Sequence, residues 1–536
     1  MIFTKSPKQI IIKIMRATYD LKKTNYYHMK KLILLTATLL LFNGILSAQN
    51  AMGALNFSQY QYEGTAKSIA MGNAVTSLGG DVYSLSINPA ASAVYRYSEL
   101  SLTPSLNFIS NKASYLGTDT KKNNMRADFA SIGYIATKNL GNRSAVKNVN
   151  FGIAYNLLNN YNSRYTVYGR TDESSWLGSL AYHTNGYLNT DLNVGTGWNA
   201  FYDSDAPWRS ILAWNTNLLD PDNDNRTYIG ATENKNGNII STAGPLYQTF
   251  TRTTSGYLGE IIFNGGVNIL DKLYLGANLS IQTLSYSDNQ TYTESAENFS
   301  HFQSKFATFS HLYRQTTSGT GINLKLGVIV TPVAGLRVAT SISTPTWMTL
   351  TDTWNENIIA DFSDGYTSPL VQTPEGYFEY RINTPFRWNL GASYVIGNIG
   401  VISADYENVN YGNILMIDNN GNENEFRDEN RIIEQYFQNS SIYRVGAEIR
   451  PIKNLALRAG YSMYTSPDVD FDTNKSYISA GLGFSSGGFF ADIGFQKMLN
   501  YSEYFTLYDD YDIIMAPTGT LKSSTLKVLF TIGFRF

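Results

Sequence analysis

Residues 525–536 read TLKVLFTIGFRF, and the fold turns on how this stretch is read. Leu526, Val528, Phe530, Ile532 and Phe534 alternate with Lys527, Leu529, Thr531, Gly533 and Arg535. Period-two alternation marks a strand with one face in an apolar medium. The last strand of a soluble sheet can alternate in the same way, so what decides is whether the pattern recurs.

It recurs along most of the chain. In GINLKLGVIV, Ile322, Leu324, Leu326, Val328 and Val330 oppose Asn323, Lys325 and Gly327; the turn TPVAG leads into LRVATSI. In IYRVGAEIR, Tyr443, Val445, Ala447 and Ile449 oppose Arg444, Gly446, Glu448 and Arg450; the turn PIKN leads into LALRAGYSM. Three more tight hairpins pair GGVNIL with LYLGANLSI, RWNLGASYV with ISADY, and YISAGLGF with FFADIGFQ. The connections between hairpins are long and polar, over 285–318, 346–384, 409–440, 464–475 and 502–521. Upstream, ELSLTPSLNF, DFASIGYIA and NFGIAYNLL alternate as well, and a loop over 165–256 follows. Three early strands, five hairpins and the terminal strand make fourteen, an even number that returns both chain ends to one side. A soluble sandwich or propeller is the competing architecture. Short turns alternating with long loops favour an all-β transmembrane antiparallel barrel instead.

Composition agrees. Of 536 residues, 16% are charged and 14% aromatic, with 39 Tyr and no Cys. Cysteine chemistry is excluded. Residues 28–50 hold a basic start (Lys30, Lys31), an apolar run from Leu32 to Leu46, and small residues Ser47 and Ala48 before Gln49. This predicts a secretory leader cleaved after Ala48, with Met29 as the start and residues 1–28 as upstream sequence. Residues 1–31 carry eight basic residues and one acidic residue, so their loss takes the net charge from −2 to −9. An acidic chain argues against a nucleic-acid partner. The expected organisation is 1–48 extension and leader, 49–96 an N-terminal segment, and 97–536 the barrel.

Residues 49–96 do not alternate. GTAKSIAMGNAVTSLGGDVYSLSINPAASAV is rich in small residues, with Gly64, Ala66, Ala70, Gly72 and Ala74 near helical spacing. Asn88 is placed to cap a helix that begins with Pro89 and Ala90, because proline at the first helical position forfeits no hydrogen bond. A segment of this length before the first strand is expected to form a plug of short helices in the lumen.

This stretch, set between a leader and a fourteen-strand barrel ending in Phe, resembles the hatch of the FadL-type outer-membrane transporters of long-chain fatty acids and aromatic hydrocarbons. The likeness is strongest from Gly64 to Ala93, with Asn88-Pro89-Ala90 matching the hatch motif. It implies passive uptake of hydrophobic compounds across a Gram-negative outer membrane, with capture by loops, binding in the lumen, movement of the hatch and sideways exit where the third strand kinks. The implied partners are hydrophobic small molecules, outer-membrane lipids and lipopolysaccharide, and the barrel assembly machinery through the C-terminal strand.

The alternation of Phe151, Ile153, Tyr155 and Leu157 decays at LLNNYNSRY, so Asn159, Asn160 and Asn162 mark the expected kink. Lys325, Arg337, Arg387, Arg444 and Arg458 fall on the lumen face and are candidate contacts for an anionic head group. Asp405, Glu448 and Asp492 fall there too, and mutual ion pairing is the competing role. Trp176, Trp198, Trp208, Trp214, Trp347 and Trp354 lie in expected loops, either as an entry groove or as the loops' own core. No catalytic group is expected: His183, His301 and His311 sit in expected loops without metal-ligand spacing, and no nucleophile–base pair stands out. Asp220, Asp222 and Asp224, like Asp468, Asp470 and Asp472, lack the glycine and distal glutamate of a calcium loop, so no metal and no cofactor is expected. The alternative functional reading is a general porin or a surface adhesin.

Overall fold

The computed structural model describes residues 51–536 except 142, 143, 223, 238 and 500, so the expected leader lies outside the described residues. Fourteen antiparallel strands close into a barrel, the number expected from the sequence. They are β1 (Glu99–Tyr115), β2 (Thr118–Asn139), β3 (Val146–Asn160, resuming at Ser163–Thr171), β4 (Leu246–Ile269), β5 (Leu273–Ala296) and β6 (Phe306–Val333). Next come β7 (Leu336–Ser343 and Trp347–Phe362), β8 (Gly376–Asn383 and Arg387–Ile396), β9 (Gly400–Asn410 and Leu415–Asp418) and β10 (Asn439–Ile452). The last are β11 (Leu455–Tyr464), β12 (Lys475–Ser486), β13 (Phe489–Leu499 and Tyr501–Thr506) and β14 (Thr518–Arg535). The breaks in β7 and β8 contain Pro345 and Pro385, which have no N–H to give the ladder. Closure is made by β1 against β14, from Glu99 opposite Arg535 to Ser114 opposite Thr520. Ser98 and Phe536 exchange both backbone hydrogen bonds, at 3.0 and 3.1 Å.

The alternation sorts side chains as the pattern requires. In β6, Ile322, Leu324 and Leu326 are exposed outside, whereas Asn323 and Lys325 are buried inside. In β14, Phe530, Ile532 and Phe534 face out and Lys527 and Thr531 face in. An oily exterior around a polar interior reverses the order of a soluble protein and belongs to an outer-membrane wall, where closure leaves no backbone edge in hydrocarbon.

The strands run well past the membrane-spanning stretch. The expected loops at 285–318 and 346–384 are largely strand, since β5 continues to Ala296, β6 starts at Phe306 and β7 reaches Phe362. Their Thr- and Tyr-rich sequences carry no apolar period, because neither face meets lipid there; the ladder alone defines them. His311, Trp347 and Trp354 therefore lie on strands, not in loops. The loop expected at 165–256 holds the end of β3, helices α3 (Trp176–Thr184) and α4 (Trp208–Asn215), and the start of β4. A further helix, α5 (Arg427–Tyr436), follows β9.

Residues 51–95 pack on the inner face of the wall as helices α1 (Ala51–Ser58) and α2 (Ala66–Ala70) and two 3-10 turns, Val82–Ser86 and Pro89–Val94. The helical spacing from Gly64 to Ala74 yields only the short α2; Gly64 and Gly72 lie outside it at φ +85° and +63°, turning the chain where L side chains are disfavoured. Thr65 and Ser68 form a reciprocal capping box.

Candidate functional site

The inner segment is seated through its own backbone. Short 3-10 turns leave many carbonyls without intrahelical partners, and wall side chains satisfy them. Asn278 Nδ2 donates to Leu85 O at 2.7 Å, Ser341 Oγ to Ile87 O at 2.6 Å and Asn264 Nδ2 to Pro89 O at 3.0 Å. Thr76 N–H donates to Asp405 Oδ2 at 2.8 Å, and Ala66 N–H to Thr531 Oγ1 at 2.8 Å. Asn88 caps its turn by accepting from Ala90 N–H at 3.0 Å, while its Nδ2 donates to Thr76 O at 2.7 Å.

The five lumen cations divide. Lys325 reaches Glu260 at 2.5 Å and Ser86 O at 2.9 Å; Arg337 donates to Leu78 O at 2.6 Å; Arg458 bridges Glu448 and Asp492, both at 2.6 Å. These three are occupied by carboxylates or by the inner segment. Arg387 and Arg444 differ: both bond the single carboxylate of Glu407, Arg387 at 2.8 Å, and Arg387 also donates to Ser58 O at 2.5 Å. Arg444 Nε and Nη1 and Arg387 Nε are buried without hydrogen-bond partners. Tyr60 lies under Arg387 at 3.7 Å and Tyr62 under Arg444 at 4.9 Å. Two buried guanidiniums thus share one carboxylate inside an apolar cluster that includes Leu55, Phe57, Tyr286, Leu350 and Phe426. Glu407 and Glu260 escaped the sequence reading, although Glu407 stands two residues after the inward Asp405 and alternation would have found it.

The wall is not evenly zipped. β2 pairs with β3 only from Asn139 opposite Asn148 to Ser131 opposite Asn156. Beyond that, β2 from 118 to 130 pairs with β1 alone, and β3 with β4 alone. The departure coincides with a register shift between Leu258 and Gly259 on β4, opposite Asn159 and Leu157. The far part of β3 turns inward across β2, so that Asn111 of β1 donates to Ser163 Oγ and Arg164 O, both at 2.9 Å. Asn160 Nδ2 donates across the opening to Asp128 Oδ2 at 2.7 Å; Asn159 bonds Gln59 O, and Asn162 bonds Asn160. Leu158 and Tyr161, in this stretch, belong to the lumen's apolar cluster, while Phe129 and Met125 stand exposed outside.

At the loop end, α3 and α4 build a cap with its own core of Trp176, Leu177, Ile211, Leu212, Phe306 and Phe309. Arg209 on α4 and His311 on β6 meet at Glu356 of β7, at 2.7 and 2.6 Å. Trp176 stacks on His311 at 5.2 Å, and Trp208 lies 6.1 Å from Trp354. Of the acidic turns, Asp222 pairs with Lys235 at 2.5 Å, and Asp224 and Asp468 accept local backbone N–H groups. Glu294 Oε1 accepts from Trp176 N–H, Gln248 and Tyr292 at 2.7–2.9 Å, and Glu233 accepts from Gly230 N–H at 3.0 Å. Among the described residues no cation bonds either carboxyl, and burial pushes both up to about 7. The docked cap therefore retains protons that an undocked one gives up near pH 4–5. Docking is strongest below that range and weakens as pH rises to about 7, by on the order of 2–3 kcal/mol per carboxyl. The protection factors of the Trp176–Thr184 amides, taken relative to the intrinsic exchange rate at each pH, are expected to be lower at pH 8 than at pH 5, and Glu294→Gln to flatten that dependence; equal protection at both values would refute it.

The sequence matches no protein-family model, and no curated protein sequence matches it. Solved structures do. A Pseudomonas aeruginosa FadL homologue aligns with a TM-score of 0.53 at 11% identity, over 88% of this chain and 98% of that one. The P. putida toluene transporter TodX aligns with a TM-score of 0.49 at 13% identity, over 89% and 99%. The Ralstonia pickettii toluene transporter TbuX aligns with a TM-score of 0.47 at 12% identity, over 90% and 100%. At such identities the likeness is one of fold: this chain has the FadL-type fold over nearly its whole described length.

Proposed function

We propose that this barrel carries hydrophobic compounds passively across a Gram-negative outer membrane, and that residues 51–95 are its movable plug. The observation that carries the reading is the apolar cluster in the bore, which reaches the unzipped edge of β3 at Leu158 and Tyr161. A polar solute gains nothing from such a path. An apolar one can leave the cluster sideways, between β2 and β3, and enter lipid beside Phe129 and Met125 without meeting bulk water. The cap and long loops face outward and take up the compound, and the short turns face the periplasm. Asn160 keeps the exit shut through its hydrogen bond to Asp128, with Asn162 bonding Asn160 and Asn159 tying the edge to the inner segment at Gln59 O. Arg387 and Arg444 receive an anionic head group, since their spare donors are buried and unpaired; Lys325 and Arg337 hold plug and wall together, and Arg458 joins wall strands through Glu448 and Asp492.

The reading is tested by reconstituting the protein and measuring uptake of radiolabelled oleate and toluene beside single-channel recordings. Uptake of at least one compound with little steady conductance is expected, reduced severalfold by Asn88→Ala with Pro89→Ala. Continuous conductance without uptake of either would replace this reading with that of a porin.

A further inference from the structure

Where β3 leaves β2, its backbone should be short of partners. It is not, because the inner segment supplies them. Gln61 and Tyr62 both donate their N–H to Leu158 O, at 2.9 and 3.1 Å, and Glu63 N–H donates to Leu157 O at 3.3 Å. Tyr83 Oη adds a hydrogen bond to Leu157 O at 2.8 Å. Three residues of the inner segment thus replace the missing strand. In return, Tyr62 sits at φ +41°, a left-handed conformation uncommon for a bulky residue, which persists only where its surroundings enforce it.

The same residue touches the arginine pair. Tyr62 Oη donates to Glu407 Oε1 at 3.2 Å, and its ring lies under the Arg444 guanidinium at 4.9 Å. Arg444 still has two N–H-bearing atoms, Nε and Nη1, with no hydrogen-bond partner. The backbone N–H of Tyr62 is therefore fastened to the exit and its side chain to the charged site, while Asn73 Nδ2 holds its carbonyl at 3.0 Å and the rings of Tyr60 and Tyr83 pack edge-on against it.

We propose that Tyr62 couples the two: an anionic head group engaging Arg444 draws that guanidinium and Glu407 away from Tyr62, the strained residue relaxes, and its N–H leaves the Leu158 carbonyl. The substitute strand is then lost and the β2–β3 opening frees itself. This deepens the transport reading and rests on it. It also names the ligand class the trigger responds to. Amphiphiles with a carboxylate or comparable anion open the exit, whereas neutral hydrocarbons do not operate the trigger. Bidentate carboxylate recognition is what a guanidinium with spare donors offers, and a residue held in a disfavoured conformation releases once its restraints go.

The chain has no cysteine, so Leu158→Cys gives a single buried thiol at the joint. Its labelling by N-ethylmaleimide is followed in the full-length detergent-solubilised protein, with folding checked by heat-modifiable gel mobility. Oleate is expected to raise the labelling rate about tenfold, the equivalent of one lost hydrogen bond, and toluene to leave it unchanged. Tyr62→Ala added to this background is expected to label fast without oleate and to lose the response; Tyr62→Phe, which keeps the ring, is expected to show a partial response and serves if the alanine variant fails to fold. Oleate that binds calorimetrically yet leaves labelling unchanged overturns the coupling, as does a Tyr62→Ala protein labelling like its parent without ligand. Should oleate neither bind nor be taken up, the transport reading fails by itself, and the ligand-free comparison of Tyr62→Ala with its parent still decides the coupling.

Discussion

Glu407→Gln is expected to lower the stability of the barrel by about 3–5 kcal/mol, the range for breaking a buried ion pair from one side. The Glu407 side chain is fully buried and is the only carboxylate bonded to Arg387 and Arg444 among the described residues. Neutralising it leaves two guanidiniums in a cluster of tyrosine, leucine and phenylalanine, with their donors turned toward a neutral amide. The loss is read as a drop in the temperature at which the folded gel band converts to the unfolded one. Two further results separate charge from shape. Glu407→Leu combined with Arg387→Met and Arg444→Met is expected to regain most of the lost stability, because a well-packed apolar set replaces a buried ionic one at little net penalty. Oleate is also expected to raise the transition of Glu407→Gln more than that of the parent, since its carboxylate takes the place of the missing one. A Glu407→Gln protein as heat-resistant as its parent would show that water already solvates these arginines.

The wall was legible because lipid imposes one simple rule on it. At Ile322, Leu324 and Leu326, or Phe530, Ile532 and Phe534, the outward residue must be apolar and the next must not, so strand number and hairpin register follow from period two. Above the bilayer that rule lapses. The strand runs around Tyr286–Ala296 and Phe306–Tyr313 set Thr and Ser on one face against Tyr, Glu and His on the other, so neither face is a continuous apolar row and a sequence reading takes them for loops. The inner segment was legible as compact and rich in small residues, but not in its detailed path. Five residues of α2 are too few for helical periodicity to register, and the turns at Gly64 and Gly72 show only in backbone angles. The lumen cations were found by alternation, yet alternation cannot say which partner each one meets. Arg337 points to a carbonyl of the inner segment, and Arg444 shares Glu407 with an arginine 57 positions away in sequence. Such pairings depend on how strands far apart in the chain are brought together by closure, which no local window contains.

That closure also sets up a test in which one substitution suits the wall and offends what lies inside it. Wall glycines face the inner segment: a Cβ on Gly276 would overlap the backbone of Pro89 and Ala90, one on Gly460 that of Met71 and Gly72, and one on Gly494 that of Ala66. None of these glycines has the left-handed φ that would bar a side chain from the strand itself. Valine is favoured over glycine in a pleated strand, so the barrel should accept it. The inner segment cannot, because the obstructing atoms are backbone and each overlap costs about 1–3 kcal/mol. Gly276→Val, Gly460→Val and Gly494→Val together are therefore expected to unseat residues 51–95 while the heat-modifiable barrel persists. Gly265→Val is the control, since nothing lies within 4 Å of a Cβ there. In planar bilayers the parent and the Gly265→Val protein are expected to stay nearly silent, and the triple variant to conduct steadily through a bore now open to ions. A triple variant as silent as the parent, with a folded barrel, would mean that the bore is sealed by the cap and the apolar cluster instead, and residues 51–95 would lose their role as the plug.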